Sequence, residues 1–429
     1  MRNLDIKVTD NLTTIATKKF KTTIIKMSFK SELNRENITS RVLLPSVLRN
    51  STMKFPSKKE LNAHLENLYG ASLSAGGSKQ GKGHVISFYV SIANEKFLHD
   101  APNLLEEGMQ LLEEVIFNPL VTDGAFNSEK VSLEKRLLKE DIEAIYDDKT
   151  SYALKKLIEN MCENEAYGVQ SSGYIDDLPS IDEKSLYQTY KSMLEDDAVS
   201  ISVIGDIDHD QVLPKLRHHF NSVKNKSLIF DYIDREEKSI RSGEVPVITE
   251  KQNVNQMKLN IGYRTNTRIA DEDYFSLLVF NGVFGGFAHS KLFMNVREKA
   301  SLCYYCASRL DNFKGLMYVY SGLDANNYNK AVEIIDEQML EMVQGRFTEK
   351  ELELAKKSLI NAKLESLDSA GGMLSERELA EIWDMPMTTS DFVSRVSAVT
   401  AEDVQKMAKK IEKDSVFVLT GGEGLDGNS

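Results

Sequence analysis

The feature that most restricts how this chain can fold is an internal duplication: one order of elements runs twice, at a period of a little over two hundred residues. Each half opens on an alternating strand, "TTIIKMSFK" at 22–30 and "QMKLNIGYR" at 256–264. In the second, Met257, Leu259, Ile261 and Tyr263 share one face, because successive side chains of a strand point to opposite sides. An apolar helix follows in each half, "ITSRVLLPSVLRN" and "EDYFSLLVFNGVFGG". A second helix then turns into a strand, "SKKELNAHLENLYGASLSA" and "HSKLFMNVREKASLCYYCA". Another strand ("HVISFYVSIAN", "GLMYVYSGLDA") and a long amphipathic helix ("APNLLEEGMQLLEEVI", "YNKAVEIIDEQMLEMVQ") match as well. Both halves close on a helix and a final strand, "DAVSISVIGD" and "DSVFVLTGG". Ser180 with Glu183 has the spacing of a capping box and marks the start of the first closing helix, while Thr400 with Asp403 only resembles one.

Strands with helices gathered into runs, in place of strict alternation, predict an α+β fold. The expectation is two homologous α/β-layer halves, each a mostly antiparallel sheet with helices on one face, enclosing a chamber. The first half is expected over 1–225, a linker over 226–245 within the charged "NSVKNKSLIFDYIDREEKSIRSGEVPV", and the second half over 246–429. Ligand sites favour such interfaces, which makes the chamber the expected place for function.

A chain of 429 residues buries enough surface to fold without disulfides or metal staples. Its net charge of -12, from 53 basic and 65 acidic residues with no lysine-arginine block, argues against a nucleic-acid partner. No run approaches the ~20 apolar residues of a membrane span, and the N-terminus lacks the apolar core of a signal peptide. Three cysteines, Cys162, Cys303 and Cys306, are an odd and sparse set that fits a reducing cytoplasm. "CYYC", 303–306, has the spacing of a redox or metal pair. On a strand, however, residues three apart face opposite sides, so two thiols that cannot meet are expected. The seven histidines form no His-x-x-x-His or His-x-x-Glu-His, and no structural metal site is expected. "GGSKQGKG" misses a phosphate loop, because Gly83 stands where a Ser or Thr would hold magnesium and a strand follows.

The duplicated order resembles, over nearly the whole chain, the M16 family of peptidases, which includes insulinase and the mitochondrial processing peptidases. In that family the first helix carries His-x-x-Glu-His, with two zinc-binding histidines one turn apart and a glutamate that activates water. The resemblance puts Val42, Pro45 and Ser46 in those slots. Valine cannot ligate, proline offers no base and removes a helix hydrogen bond at ~3 kcal/mol, and a serine hydroxyl is a poor zinc ligand. The family's third ligand, a glutamate on a later helix, falls on Asp141 in "EKRLLKEDIEAIYDD", with Glu140 or Glu143 as alternatives. The implication is a chain with no zinc of its own that is not an active protease alone.

The second half keeps more. "GGFAHSKLFMNVREKASLCYY" is similar to a family segment of two glycines, small residues, and a helix ending Arg-Glu-x-x-Gly-Leu-x-Tyr. Its glycines fall on Gly285 and Gly286, its arginine on Arg297 and its tyrosine on Tyr304, with Ser301 replacing the usual glycine. By resemblance, Arg297 and Tyr304 reach across a chamber to hold and polarise a substrate carbonyl, as hydrogen-bond donors do for a developing oxyanion. A surface arginine paired with a nearby carboxylate and a tyrosine packed on a sheet is the alternative reading of the same residues. The resemblance therefore implies a non-catalytic subunit. It would pair with a zinc-bearing homologue to form a peptide-processing chamber for peptide or unfolded protein, with zinc only in the partner. The chain also looks like a Gram-positive group without the zinc motif that is associated with modification of translation elongation factor P, an impression to which "YDDKTSYALKKLIENMCENEAYG" contributes. Two alternatives stand beside it. One is a peptide-binding protein, homodimeric in isolation, that holds an extended peptide on a sheet edge without cutting it. The other is an autonomous metallopeptidase with an atypical site.

Overall fold

The computed structural model describes residues 5–99, 103–223, 230–233, 244–380 and 387–421, so most of the expected linker 226–245 lies outside the described residues. The first half runs β1 (Asp5–Thr9), β2 (Leu12–Ala16), β3 (Thr22–Glu32), α1 (Ile38–Leu48), α2 (Lys58–Asn67), β4 (Ser72–Gln80), β5 (Gly83–Ala93) and α3 (Leu104–Phe117). A short hairpin, β6 (Val121–Thr122) and β7 (Ala125–Phe126), leads to α4 (Ser128–Asp147), α5 (Lys149–Met161), α6 (Glu183–Asp196), β8 (Ala198–Gly205) and α7 (His209–His219). The second half runs β9 (Val247–Lys251), β10 (Met257–Arg264), α8 (Tyr274–Phe284), a π-helix (Phe293–Lys299), β11 (Cys303–Asp311), β12 (Leu316–Leu323) and α9 (Tyr328–Val343). It ends with α10 (Glu349–Ser366), α11 (Ala370–Ala380), α12 (Thr389–Ala398), α13 (Ala401–Lys410) and β13 (Glu412–Thr420). Among the described residues no helix is long and apolar enough to cross a membrane.

The duplication is visible in the sheets. One has the order β1-β2-β8-β3-β5-β4 and the other β11-β12-β10-β13-β9. Read from the opposite end, the second repeats the first without β1. Each sheet is mixed, because β2 runs parallel to β8 and β9 parallel to β13 while the other neighbours are antiparallel.

Period-2 patterning decides which face each sheet buries against its own helices. Ile25, Met27 and Phe29 of β3 pack with Leu43 and Leu44 of α1, Leu112 of α3 and Met193 of α6. Met257, Leu259, Ile261 and Tyr263 of β10 pack with Phe280 and Phe284 of α8 and Ile335 of α9.

Helices on one face only describes each half in isolation. In the whole chain the second face of each sheet is covered by a helix from the other half. Ala153, Leu157 and Met161 of α5 pack on Leu316, Tyr318, Phe417 and Leu419 of the second sheet. Met373 and Leu374 of α11 pack on Ile15 and Ile204 of the first. Gly262 permits the first contact, since a Cβ there would lie 2.1 Å from the Met161 sulfur. Buried charge fixes the same seam: Glu165 pairs with Lys314 Nζ at 2.6 Å and Arg264 Nη2 at 2.8 Å, and Arg264 Nε reaches Asp414 at 2.8 Å. Under α11 lies a polar cavity of about 140 Å³ lined by Lys26, Ser28, Lys30, Ser87, Tyr89 and Glu378.

Two helix starts correct the sequence reading. The cap of α6 is Asp182, whose carboxylate accepts from the Ser185 N–H at 2.7 Å while the Asp182 N–H donates to Ser185 Oγ at 2.9 Å. Ser180 ends a preceding 3₁₀ turn (Ile175–Ser180) and donates to the Asp177 carbonyl. Thr400 and Asp403, by contrast, form a complete capping box, with reciprocal bonds of 2.9 and 3.2 Å. A short carboxylate at the third position serves as well as a long one.

Candidate functional site

The helix that would carry zinc forms where the sequence put it. Val42 and Ser46 stand four residues apart on one face, half-buried, while Pro45 is buried inside the helix. What α1 does carry is Arg41, which the sequence reading passed over. Its guanidinium donates to the Asp197 carboxylate at 2.7 and 3.2 Å and to His84 Nδ1 at 3.2 Å. Burial, reinforced by the Arg41 charge, lowers the His84 pKa to about 3, so its imidazole is neutral. This trio ties α1 to β5 and to the turn before β8, and is fixed architecture.

Asp141 lies exposed on α4, as do Glu140 and Glu143. The last two make i,i+4 surface pairs with Arg136 and Lys139. The α4 carboxylate turned onto α1's C-terminal end is Glu134, one further residue the sequence reading missed. It is buried and accepts from Asn50 Nδ2 at 2.6 Å. Among the described residues no group of three or more His, Cys, Asp or Glu is placed to hold a metal ion.

The segment in the second half has a more particular geometry. Gly285 caps α8, donating to the Asn281 carbonyl at 3.0 Å, and its own carbonyl accepts from the Ser308 N–H of β11 at 2.9 Å. It is buried, and a Cβ there would lie 2.4 Å from Ser308 Oγ. Gly286 is exposed and donates to the same Asn281 carbonyl at 2.7 Å. The turn thus locks α8 to the edge strand.

Just past the end of the π-helix stands Ser301, whose N–H donates to the Arg297 carbonyl at 3.0 Å and whose φ is +54°. That left-handed backbone is why a glycine suits the position. Arg297 is exposed, with its guanidinium over the Phe293 ring at 4.6 Å and 3.7 Å from Glu298. Seven residues on, Tyr304 is 68% exposed. The structure therefore places both donors in solvent beside the start of an edge strand, where backbone groups on one side have no strand partner. Arg297 does keep a neighbouring carboxylate, as the alternative reading expected. Tyr304 does not pack on its sheet.

One expectation about this strand is overturned. Cys303 pairs with Leu323, Tyr305 with Gly322 and Cys306 with Ser321, so Tyr304 is an extra, bulged residue. Leu323 and Ser321 are two apart and share a face, so Cys303 and Cys306 share one too. The thiols that were expected to face opposite sides lie on one face of β11, where each perturbs the ionisation of the other.

The duplicated mixed sheets and the retained segment define the class: this chain belongs to the M16 peptidase family. The family description "Peptidase M16 inactive domain" matches residues 180–359. Over 413 residues, 96% of this chain and 95% of the other, the chain is 41% identical to the Bacillus subtilis (strain 168) protein named "Probable inactive metalloprotease YmfF". It is 26% identical over 310 residues, 70% of this chain and 73% of the relative, to the "Uncharacterized zinc protease YmxG" of the same strain. The crystal structure of a conserved protein from Enterococcus faecalis V583 matches with a TM-score of 0.89 and 34% identity, covering 99% of this chain and all of that one. The chain is thus an inactive-type metalloprotease homologue without His-x-x-Glu-His.

Proposed function

We propose that this chain is the non-catalytic partner of a zinc-bearing M16 homologue and supplies the wall of a peptide-processing chamber opposite the metal. The carrying observation is an asymmetry. Val42, Pro45 and Ser46 leave α1 with no zinc ligand, whereas Arg297 and Tyr304 stand exposed at the end of an edge strand. Further support comes from the two Bacillus subtilis relatives, one named inactive and one named a zinc protease, in a single organism. Because α5 and α11 occupy the seam, the chamber in this reading lies between two chains, not between the two halves of one. Arg297 and Tyr304 act as donors to the scissile carbonyl as charge develops on its oxygen. Gly285 and Gly286 hold the turn that sets their strand. The domain division at 226–245 and a cytoplasmic location belong to the same reading.

Co-expression with a zinc-bearing homologue tests it: Arg297→Ala is expected to lower peptide cleavage by the pair at least tenfold. Unchanged turnover with the pair still assembled would contradict it. The second reading, a non-cleaving peptide binder, rests on the edge strands β4 and β11, each paired on one side only. It predicts peptide capture by the purified chain alone. The association with elongation factor P gains nothing from the 146–168 segment. Its residues have structural work at the seam, through α5, Glu165 and Tyr167, whose hydroxyl donates to Asp311.

A further inference from the structure

We infer that Cys303 and Cys306 are a peroxide-reactive dithiol that closes into an intrachain disulfide across the Tyr304 bulge. The inference stands on strand geometry and is independent of the proposed function. In a regular strand these side chains would diverge, and the inserted Tyr304 returns them to one face. Their partners on β12 are two residues apart, a spacing of about 6.8 Å along a strand. That lies at the upper end of the about 4.4–6.8 Å Cα separation that disulfides accept. Closing the bond also asks the two Cβ atoms to approach to about 3.5–4.5 Å, so the bulge must move, at the edge of a sheet where no outer strand resists it.

The two thiols are chemically unequal. Cys306 is 1% exposed within the second core, while Cys303 is half-buried at the mouth of the bulge. Hydrogen bonding with Cys306 is the main influence that lowers Cys303, to about 7, helped by Ser321 and the Arg297 charge and opposed by burial. The same bond, with burial, raises Cys306. Cys303 is therefore the attacking thiolate and Cys306 the resolving thiol. Cys162, fully buried and pushed up to about 12 mainly by that burial, is an inert internal reference.

The step balances with hydrogen peroxide as oxidant. The Cys303 thiolate attacks one peroxide oxygen, breaking the O–O bond, to give a sulfenic acid and hydroxide. The Cys306 sulfur then displaces the hydroxyl, forming the S–S bond and releasing water, with its proton passing to the leaving oxygen. Two thiols lose two electrons in all, and the peroxide is reduced to two waters.

The test uses the full chain and hydrogen peroxide, followed by alkylation, digestion and mass mapping. The expected product is a Cys303–Cys306 peptide lighter by two hydrogens, reversed by dithiothreitol, with Cys162 still a free thiol. Alkylation of the untreated wild type is expected at Cys303 at least tenfold faster than at Cys306, with a pH midpoint near 7. Cys303→Ser should slow peroxide consumption at least tenfold, and Cys306→Ser should stop at a sulfenic acid that dimedone traps. The wild-type mapping needs no substitution, so a variant that fails to fold leaves the test intact. Both thiols surviving peroxide, a disulfide formed between chains, or equal alkylation rates would overturn the inference.

Discussion

Ser301 shows how one residue can preserve a geometry its own chemistry disfavours. A non-glycine residue at positive φ carries strain, here in order to end the π-helix and aim β11. Ser301→Gly is expected to raise the urea midpoint, with a gain of up to about 1 kcal/mol, offset in part by the freer unfolded chain. An unchanged or lower midpoint would mean that the serine side chain contributes something of its own. The sequence made this position legible as a departure from Gly, though it could not show the backbone angle. It could not show the Tyr304 bulge either, because a one-residue insertion inverts the facing of everything beyond it. That is why the cysteine pair was misread.

His219 gives a pH signature at the same scale. It sits between Glu106 at 2.6 Å and Glu113 at 2.7 Å. Burial pulls its pKa down, but the hydrogen bonds its ring donates to Glu113 and Glu106, with their charges, outweigh it, so the folded value is raised. The resulting stabilisation is complete below the unfolded value of about 6.5 and is lost as pH rises through the folded one. The melting temperature should therefore fall across that window, and His219→Gln should flatten the fall. Parallel curves for wild type and variant would remove His219 from the account.

Elements paired legibly, and their faces did so only in part. Each strand of the duplicated set appears where alternation placed it, and the two sheets share one neighbour order. The exchange of α5 and α11 was not legible, because an amphipathic stripe reveals that a face is buried and never which sheet buries it. The exchange makes a prediction about the seam. Glu165 lies buried between Lys314 and Arg264, so Glu165→Ala takes a buried counter-charge from both, although Arg264 keeps Asp414. Breaking such a buried pair destabilises by up to about 3–5 kcal/mol. Urea unfolding should record that drop as one transition for the whole chain if the exchanged helices couple the halves. A loss under about 1 kcal/mol, or one half melting separately, would show that the seam is not held in this way.

For the whole molecule, the function proposed above divides labour between two chains. Val42, Pro45 and Ser46 lie on a helix that is tied to its surroundings by Arg41, bonded to Asp197 and His84, by Thr39, bonded to Asp177, and by Asn50, just past the helix end, bonded to Glu134. The exposed donors lie elsewhere, on the edge of the second sheet. What sequence could not tell was that the two halves close on each other through α5 and α11. The most direct measurement is peptide hydrolysis by the purified chain, alone and mixed with a zinc-bearing homologue, alongside its own zinc content. The account predicts no hydrolysis and no stoichiometric zinc for the chain alone, and cleavage by the pair. Chelator-sensitive hydrolysis by the lone chain with one zinc bound would contradict it.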